Sequence, residues 1–180
     1  MEANEPQLDE ENLCQVEDMV SACAGLVTVD EESDIIRLVH YTTQEYFERT
    51  CEHWFLEAHI HIAKTCLSYL LFDMFECGPC STDSEFEERL ELNQLYGYAA
   101  RNWGHHAQEA PKSLMLSQIM DFFENDSKVE ASVQALMATK RHSSQRNYCQ
   151  EFPRNIVGSH LAAFFGLYGV MEVLIMRGTD

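Results

Sequence analysis

Two short apolar runs flank a polar turn near the start of the chain. Leu26, Val27, Thr28 and Val29 are followed by Asp30, Glu31, Glu32, Ser33 and Asp34, then by Ile35, Ile36, Arg37, Leu38 and Val39. β-branched runs about a charged turn predict a β-hairpin with its acidic tip in solvent. Thr42 and Glu45 have the S/T-x-x-E spacing of a capping box and predict a helix continuing to about residue 52. Upstream, Leu13, Val16, Val20 and Cys23 recur at spacings of three and four, which predicts a helix over residues 9–23. Asp9 is its expected N-cap, Glu10 and Glu11 favour the positive end of its dipole, and Gly25 suits a left-handed stop.

Beyond this unit the helical period takes over. Ala58, Ile62, Cys66, Leu70 and Met74 form a ridge beside Phe55, Ala63, Leu67 and Leu71, predicting one helix over residues 53–75. Gly78 and Pro79 stop it. Further helices are predicted over residues 82–90, along the face of Leu92, Leu95, Ala99 and Trp103, over residues 111–123 from Pro111, and from a cap at Ser127. Gly104 marks an expected break, and Leu116, Met120, Phe123, Val129, Val133 and Leu136 are expected inward. Residues 140–154 are basic and poor in helix signals and read as a linker. The expected domains are residues 1–52, a helical connector over 53–140, the linker 141–154 and a last segment over 155–180.

Composition narrows the partners. The apolar fraction of 46% is that of a globular chain, and the formal net charge is −18. That charge repels nucleic acid and anionic membranes and is neutral towards proteins, so neither nucleic acid nor membrane is an expected partner. The acidic start of the chain has neither the basic nor the apolar region of a signal peptide. The most apolar stretch is interrupted by Glu57, Lys64 and Asp73 and reads as a core helix rather than a span. Seven cysteines, irregularly spaced, read as reduced thiols.

Residues 26–49 resemble the winged-helix segment that follows the nucleotide-binding domain of fungal NACHT–ankyrin proteins, a segment also named after GPI inositol-deacylase. Tyr98, Ala99, Ala100, Arg101, Asn102, Trp103, Gly104, His105, His106 and Ala107 are similar to a recurrent phrase before the ankyrin repeats of those proteins. The end of the chain resembles an ankyrin repeat, T-P-L-H-x-A-A-x-x-G, then an apolar helix, then G-A-D. Here stand His160, Leu161, Ala162, Ala163 and Gly166, then Val170, Val173, Leu174 and Ile175, then Gly178, Thr179 and Asp180. Small Ala162 and Ala163 let two helices approach, and Gly166 supplies the turn. Val157, Gly158 and Ser159 replace the usual T-P-L, as suits an atypical first repeat.

The resemblance implies a mainly α fold: a winged-helix remnant with one β-hairpin, a helical connector and a C-terminal ankyrin helix pair. It implies a non-enzymatic, cytoplasmic coupling and protein-interaction region of a STAND signalling protein. Its partners would be an upstream nucleotide-binding domain, further ankyrin repeats and a protein ligand. The chain is then expected to be a fragment of a longer architecture, with part of Leu161, Phe165, Val173, Leu174 and Ile175 left exposed and the pair packed on the helix capped at Ser127.

Candidate chemistry is sparse. Cys77, Gly78, Pro79 and Cys80 spell the thioredoxin redox motif, in which a helix N-terminus lowers the thiol pKa. That motif needs a preceding strand, whereas a helix is predicted here, so the plainer reading is a helix stop on a surface turn. A small thiol redox protein using Cys77 and Cys80 is the alternative function. His53, His59 and His61 share one predicted helix, and His105 and His106 are adjacent. His59 and His61 are two apart and face different ways, so no metal or cofactor site is expected. Glu85, Glu87, Glu88 and Glu91 read as a solvated face. No phosphate loop, nucleophile elbow or zinc-protease motif occurs. DNA binding is disfavoured by the acidic turn at residues 30–34 and by a first helix without Lys or Arg.

Overall fold

The computed structural model describes residues 13–33 and 35–178, with the backbone alone at residue 52. Among these residues the chain is mainly helical with one two-stranded antiparallel hairpin. It divides between Leu56 and Glu57 into two compact units. No helix among the described residues is long and apolar enough to cross a membrane.

The first unit comprises α1 (Val16–Ala22), β1 (Val27–Asp30), β2 (Ile35–Leu38) and α2 (Tyr41–Trp54). The hairpin pairs Val27 with Leu38, Thr28 with Arg37, Val29 with Ile36 and Asp30 with Ile35. Asp30 is therefore in the strand rather than the turn, where its carboxylate meets Arg37 at 2.9 Å. The predicted Asp9 cap lies outside the described residues, and α1 is shorter than its apolar stripe suggested. The cap of α2 also differs: the His40 ring, not Thr42, accepts from the Thr42 N–H at 3.2 Å. Thr42 is already inside the helix, its hydroxyl 2.8 Å from His40 Nδ1, so it does not stand at the N-cap position that a Thr42–Glu45 box requires. No described residue of this unit is buried.

The second unit carries the core. Its helices are α3 (Ala58–Leu70), α4 (Asp83–Leu92), α5 (Tyr96–Glu109), α6 (Lys112–Phe123), α7 (Asp126–Met137), α8 (Gly158–Phe164) and α9 (Tyr168–Arg177). The single helix predicted over residues 53–75 is broken: α2 runs to Trp54, Phe55 leaves helical geometry, and α3 begins at Ala58. A short 3-10 turn, Asp73–Phe75, follows. Ala63, Cys66, Leu67 and Leu70 are buried as their spacing required, while Met74, beyond the helix end, is exposed. Each fully buried Leu or Phe contributes about 1.5–3 kcal/mol relative to exposure.

α5 is the central helix, with Tyr96, Ala99, Ala100 and Trp103 all inaccessible. Tyr96 stacks on Phe75 at 4.5 Å and donates its hydroxyl to the Ala131 carbonyl at 2.6 Å. Burial pushes that hydroxyl's pKa up. Trp103 meets Phe122, Phe123 and Phe165 edge to face. The break predicted at Gly104 is absent, because the helix runs through it to Glu109. A Cβ on Gly104 would lie 2.1 Å from the Phe165 ring, so glycine here serves close packing rather than termination.

The predicted linker over residues 141–154 is a packed loop. Tyr148, Cys149 and Phe152 are buried in it. Asp83, the first residue of α4, accepts the backbone N–H groups of Asn147 and Cys149. Burial alone would raise the Asp83 pKa, but these donors hold the carboxyl below its ordinary value. Gln134, wholly buried in α7, joins the loop to the Cys80 turn. Its Oε1 accepts from Cys80 N–H at 2.8 Å, and its Nε2 donates to the Cys80 and Cys149 carbonyls at 2.9 Å each.

Candidate functional site

The chain leaves α3 through the 3-10 turn into Cys77, Gly78, Pro79 and Cys80. Gly78 takes the left-handed backbone, φ +74°. Thr82 then caps α4 in a capping box: its hydroxyl accepts from Glu85 N–H at 3.2 Å, and Glu85 accepts from the N–H groups of Ser81 and Thr82. One turn further, Arg89 reaches back over the motif. Its Nη1 donates to the Gly78 carbonyl at 2.7 Å, and its Nη2 lies 3.1 Å from Cys77 Sγ.

Cys77 is exposed in an open cleft of about 460 Å³ whose walls include Met74, Pro79, Glu85, Glu88 and Arg89. Cys80 is only 6% exposed, so it is not the surface-turn residue the sequence suggested. Burial pushes its thiol up, with Arg89 pulling the other way. What precedes the motif is helix and 3-10 turn, not strand, and α4 begins beyond Cys80 at Asp83. Cys149 is buried too, and burial raises its thiol. All the described cysteines are free. The cleft thus offers one accessible sulfur beside a cation and one buried thiol three residues on.

The glutamates beside the cleft are solvent-facing, as their sequence suggested, but two of them also hold partners. Glu85 completes the cap, and Glu87 binds Lys140 Nζ at 2.6 Å and the Tyr148 hydroxyl at 3.2 Å. The Lys140 contact, followed by the Tyr148 bond, lowers the Glu87 pKa. Glu88 and Glu91 are exposed.

The second candidate is the helix pair α8–α9. His160 Nδ1 accepts from Val157 N–H at 3.2 Å, closing the entry to α8 where a T-P-L tripeptide is missing. Gly158 is buried, and a Cβ there would lie 2.3 Å from the Phe123 ring. Gly166, φ +65°, makes the turn between the helices, and Gly178, φ +69°, ends α9. Leu161, Ala162, Phe165, Val170 and Leu174 are buried, Val173 is half-buried, and Ala163 and His160 are exposed. Asp180 lies outside the described residues. The pair packs chiefly on α6, and Phe165 on α5, rather than on α7, whose N-cap is Asn125 and not the expected Ser127. Its outer side leaves Phe164, Tyr168, Ile175 and Met176 exposed by 54%, 73%, 70% and 84%.

The histidines are arranged in a way the sequence did not signal. His61 turns to Glu57 at 3.5 Å, whereas His59 of α3 meets His106 of α5, Nδ1 to Nδ1, at 3.0 Å. The pair comes from different helices and has no local spacing to betray it. Among the described residues no group of three or more His, Cys, Asp or Glu side chains is placed to hold a metal ion. The chain matches no family model, no curated protein and no solved structure.

Proposed function

We propose that this chain is a non-enzymatic protein-interaction and coupling module of the NACHT–ankyrin type, cytoplasmic, with α8–α9 as its first ankyrin repeat. The observation that carries it is the one-sided burial of that pair. Leu161, Ala162, Phe165 and Leu174 seal one side on their own unit, while Ile175 and Met176 on the other are open. A helix pair with a bare apolar side suits stacking by a neighbour of the same kind. The α1–hairpin–α2 segment, which buries none of its described residues, is then the winged-helix element that packs on a nucleotide-binding domain. Nucleic acid is not a partner, given the charge of −18 and the acidic hairpin tip.

Hydrogen exchange tests this. In the chain as it stands, α8–α9 should exchange faster than α3. Appending a consensus ankyrin repeat after Asp180 should slow α8–α9 and leave α3 unchanged. Equal protection of the two regions, or no change on extension, would sink the repeat assignment.

A second reading, a thiol redox role for Cys77 and Cys80, is favoured by one observation: the Arg89 guanidinium against the exposed Cys77 sulfur. In that case Cys77 should alkylate faster than Cys80 at neutral pH, Arg89→Ala should slow it, and a glutathione redox buffer should form a Cys77–Cys80 disulfide. Mass spectrometry finding no such disulfide at any buffer ratio rules the role out.

A further inference from the structure

α3 and α5 pack side by side, and at one end of their contact two imidazoles meet. His59, next to the start of α3, and His106, in the last turn of α5, have ring centroids 5.1 Å apart and Nδ1 atoms 3.0 Å apart. On its far edge His106 Nε2 lies 3.1 Å from the Tyr98 hydroxyl, two turns earlier on the same helix. When Nε2–H donates to Tyr98, His106 is the tautomer whose Nδ1 carries a lone pair, and that lone pair faces His59.

Two features of this arrangement are those of a metal site. Two nitrogens bound to one ion at about 2.0–2.1 Å sit roughly 2.9–3.4 Å apart for bond angles between square and tetrahedral. The observed 3.0 Å falls in that interval. Metal-bound histidines also characteristically donate the other ring N–H to a fixed acceptor, which orients the ring and raises its basicity. Tyr98 is placed to be that acceptor. The unoccupied alternative, a single proton between the two Nδ1 atoms, is the species an incoming cation displaces.

We propose that His59 and His106 form a two-histidine site for a divalent transition metal of the nickel, copper or zinc class, bridging α3 and α5, with Tyr98 positioning His106. Water completes the coordination sphere, since no third His, Cys, Asp or Glu among the described residues joins the pair. A net charge of −18 concentrates cations at the surface.

The test is titration of the full chain with Ni2+, followed by calorimetry and by nitrogen-detected NMR of the histidine rings. One equivalent should bind, shifting the Nδ1 resonances of His59 and His106 before those of His53, His61 and His160. His59→Ala, an exposed position, should lower affinity tenfold or more, as should His106→Ala. Tyr98→Phe should lower it by about tenfold, the scale of an outer-sphere partner. Cys77→Ser should leave affinity unchanged. Circular dichroism confirms that each variant is folded. No binding at millimolar Ni2+, binding that survives His59→Ala, or binding that collapses in Cys77→Ser would each overturn the site.

Discussion

Gln134 is an amide in a fully buried position, and each of its polar atoms has work there. It closes the Cys80 N–H and the Cys149 C=O, groups that have no helix or sheet partner, and shares the Cys80 C=O with Gln150 Nε2. Gln134→Leu keeps the volume and removes every one of these bonds. A buried unsatisfied group costs about 1–3 kcal/mol, and relaxation of the loop recovers part, so the expected loss is about 3 kcal/mol. Urea unfolding measures it; a loss below about 1 kcal/mol would mean that water replaces the amide. The stripe of Val129, Val133 and Leu136 placed α7 correctly on the core but assigned Gln134 no role. A signal was present: Ala131, Val133 and Ala135 surround it, and a helix apolar on several sides is a buried helix.

At the scale of elements, glycine has two opposite uses in this chain. Gly166 and Gly178 lie in left-handed turns, as their positions in the α8–α9 text suggested. Gly104 is helical and exists to admit the Phe165 ring. Gly104→Ala therefore sets helix propensity against packing. Alanine favours the helix by about 1 kcal/mol. The overlap with Phe165 costs about 1–3 kcal/mol and prises α8–α9 from α5. The expected outcome is net destabilisation, with hydrogen exchange in residues 158–177 accelerated and that in 58–70 nearly unchanged. A more stable variant would show that the ring yields freely. Capping follows the same logic of competition. Thr42 had the right spacing, but α2 begins at Tyr41, so His40, in extended backbone, holds the N-cap position.

At the scale of the molecule, stability is unevenly distributed. Every buried apolar side chain among the described residues lies beyond Leu56, while the first unit holds only half-buried or exposed ones. Leu26, Ile35, Val39 and Trp54 are all exposed there. Hydrophobic burial dominates folding free energy, so the two units should differ in resistance to opening. Limited proteolysis should cut first near Phe55, where α2 ends, and leave a folded product beginning near Glu57. That product should unfold cooperatively with the midpoint of the full chain. First cuts within residues 141–154 would show instead that the packed loop behaves as a linker after all.

Local signals in the sequence determined the local structure. The hairpin, the start of α6 at Pro111 and the α8–α9 turn at Gly166 each depend on residues adjacent in the chain, whereas α3 ends at Leu70, well before the stop expected at Gly78 and Pro79. Backbone sterics and short-range hydrogen bonding act at that range. Periodicity likewise marked the inward faces of α3 and α7, because burial repeats with the helical turn. What only the tertiary structure decided involves groups distant in sequence. Arg89 against Cys77, Gln134 between two loops, His59 against His106 and Phe165 over Gly104 all join separate elements. Such contacts are selected by the fit of the whole core, whose side-chain geometry is not encoded at any fixed spacing. The loop over residues 141–154 shows the difference plainly. Its composition is that of a linker, yet Asp83, far away in the chain, and Gln134, on the helix before it, supply the partners that hold it in place.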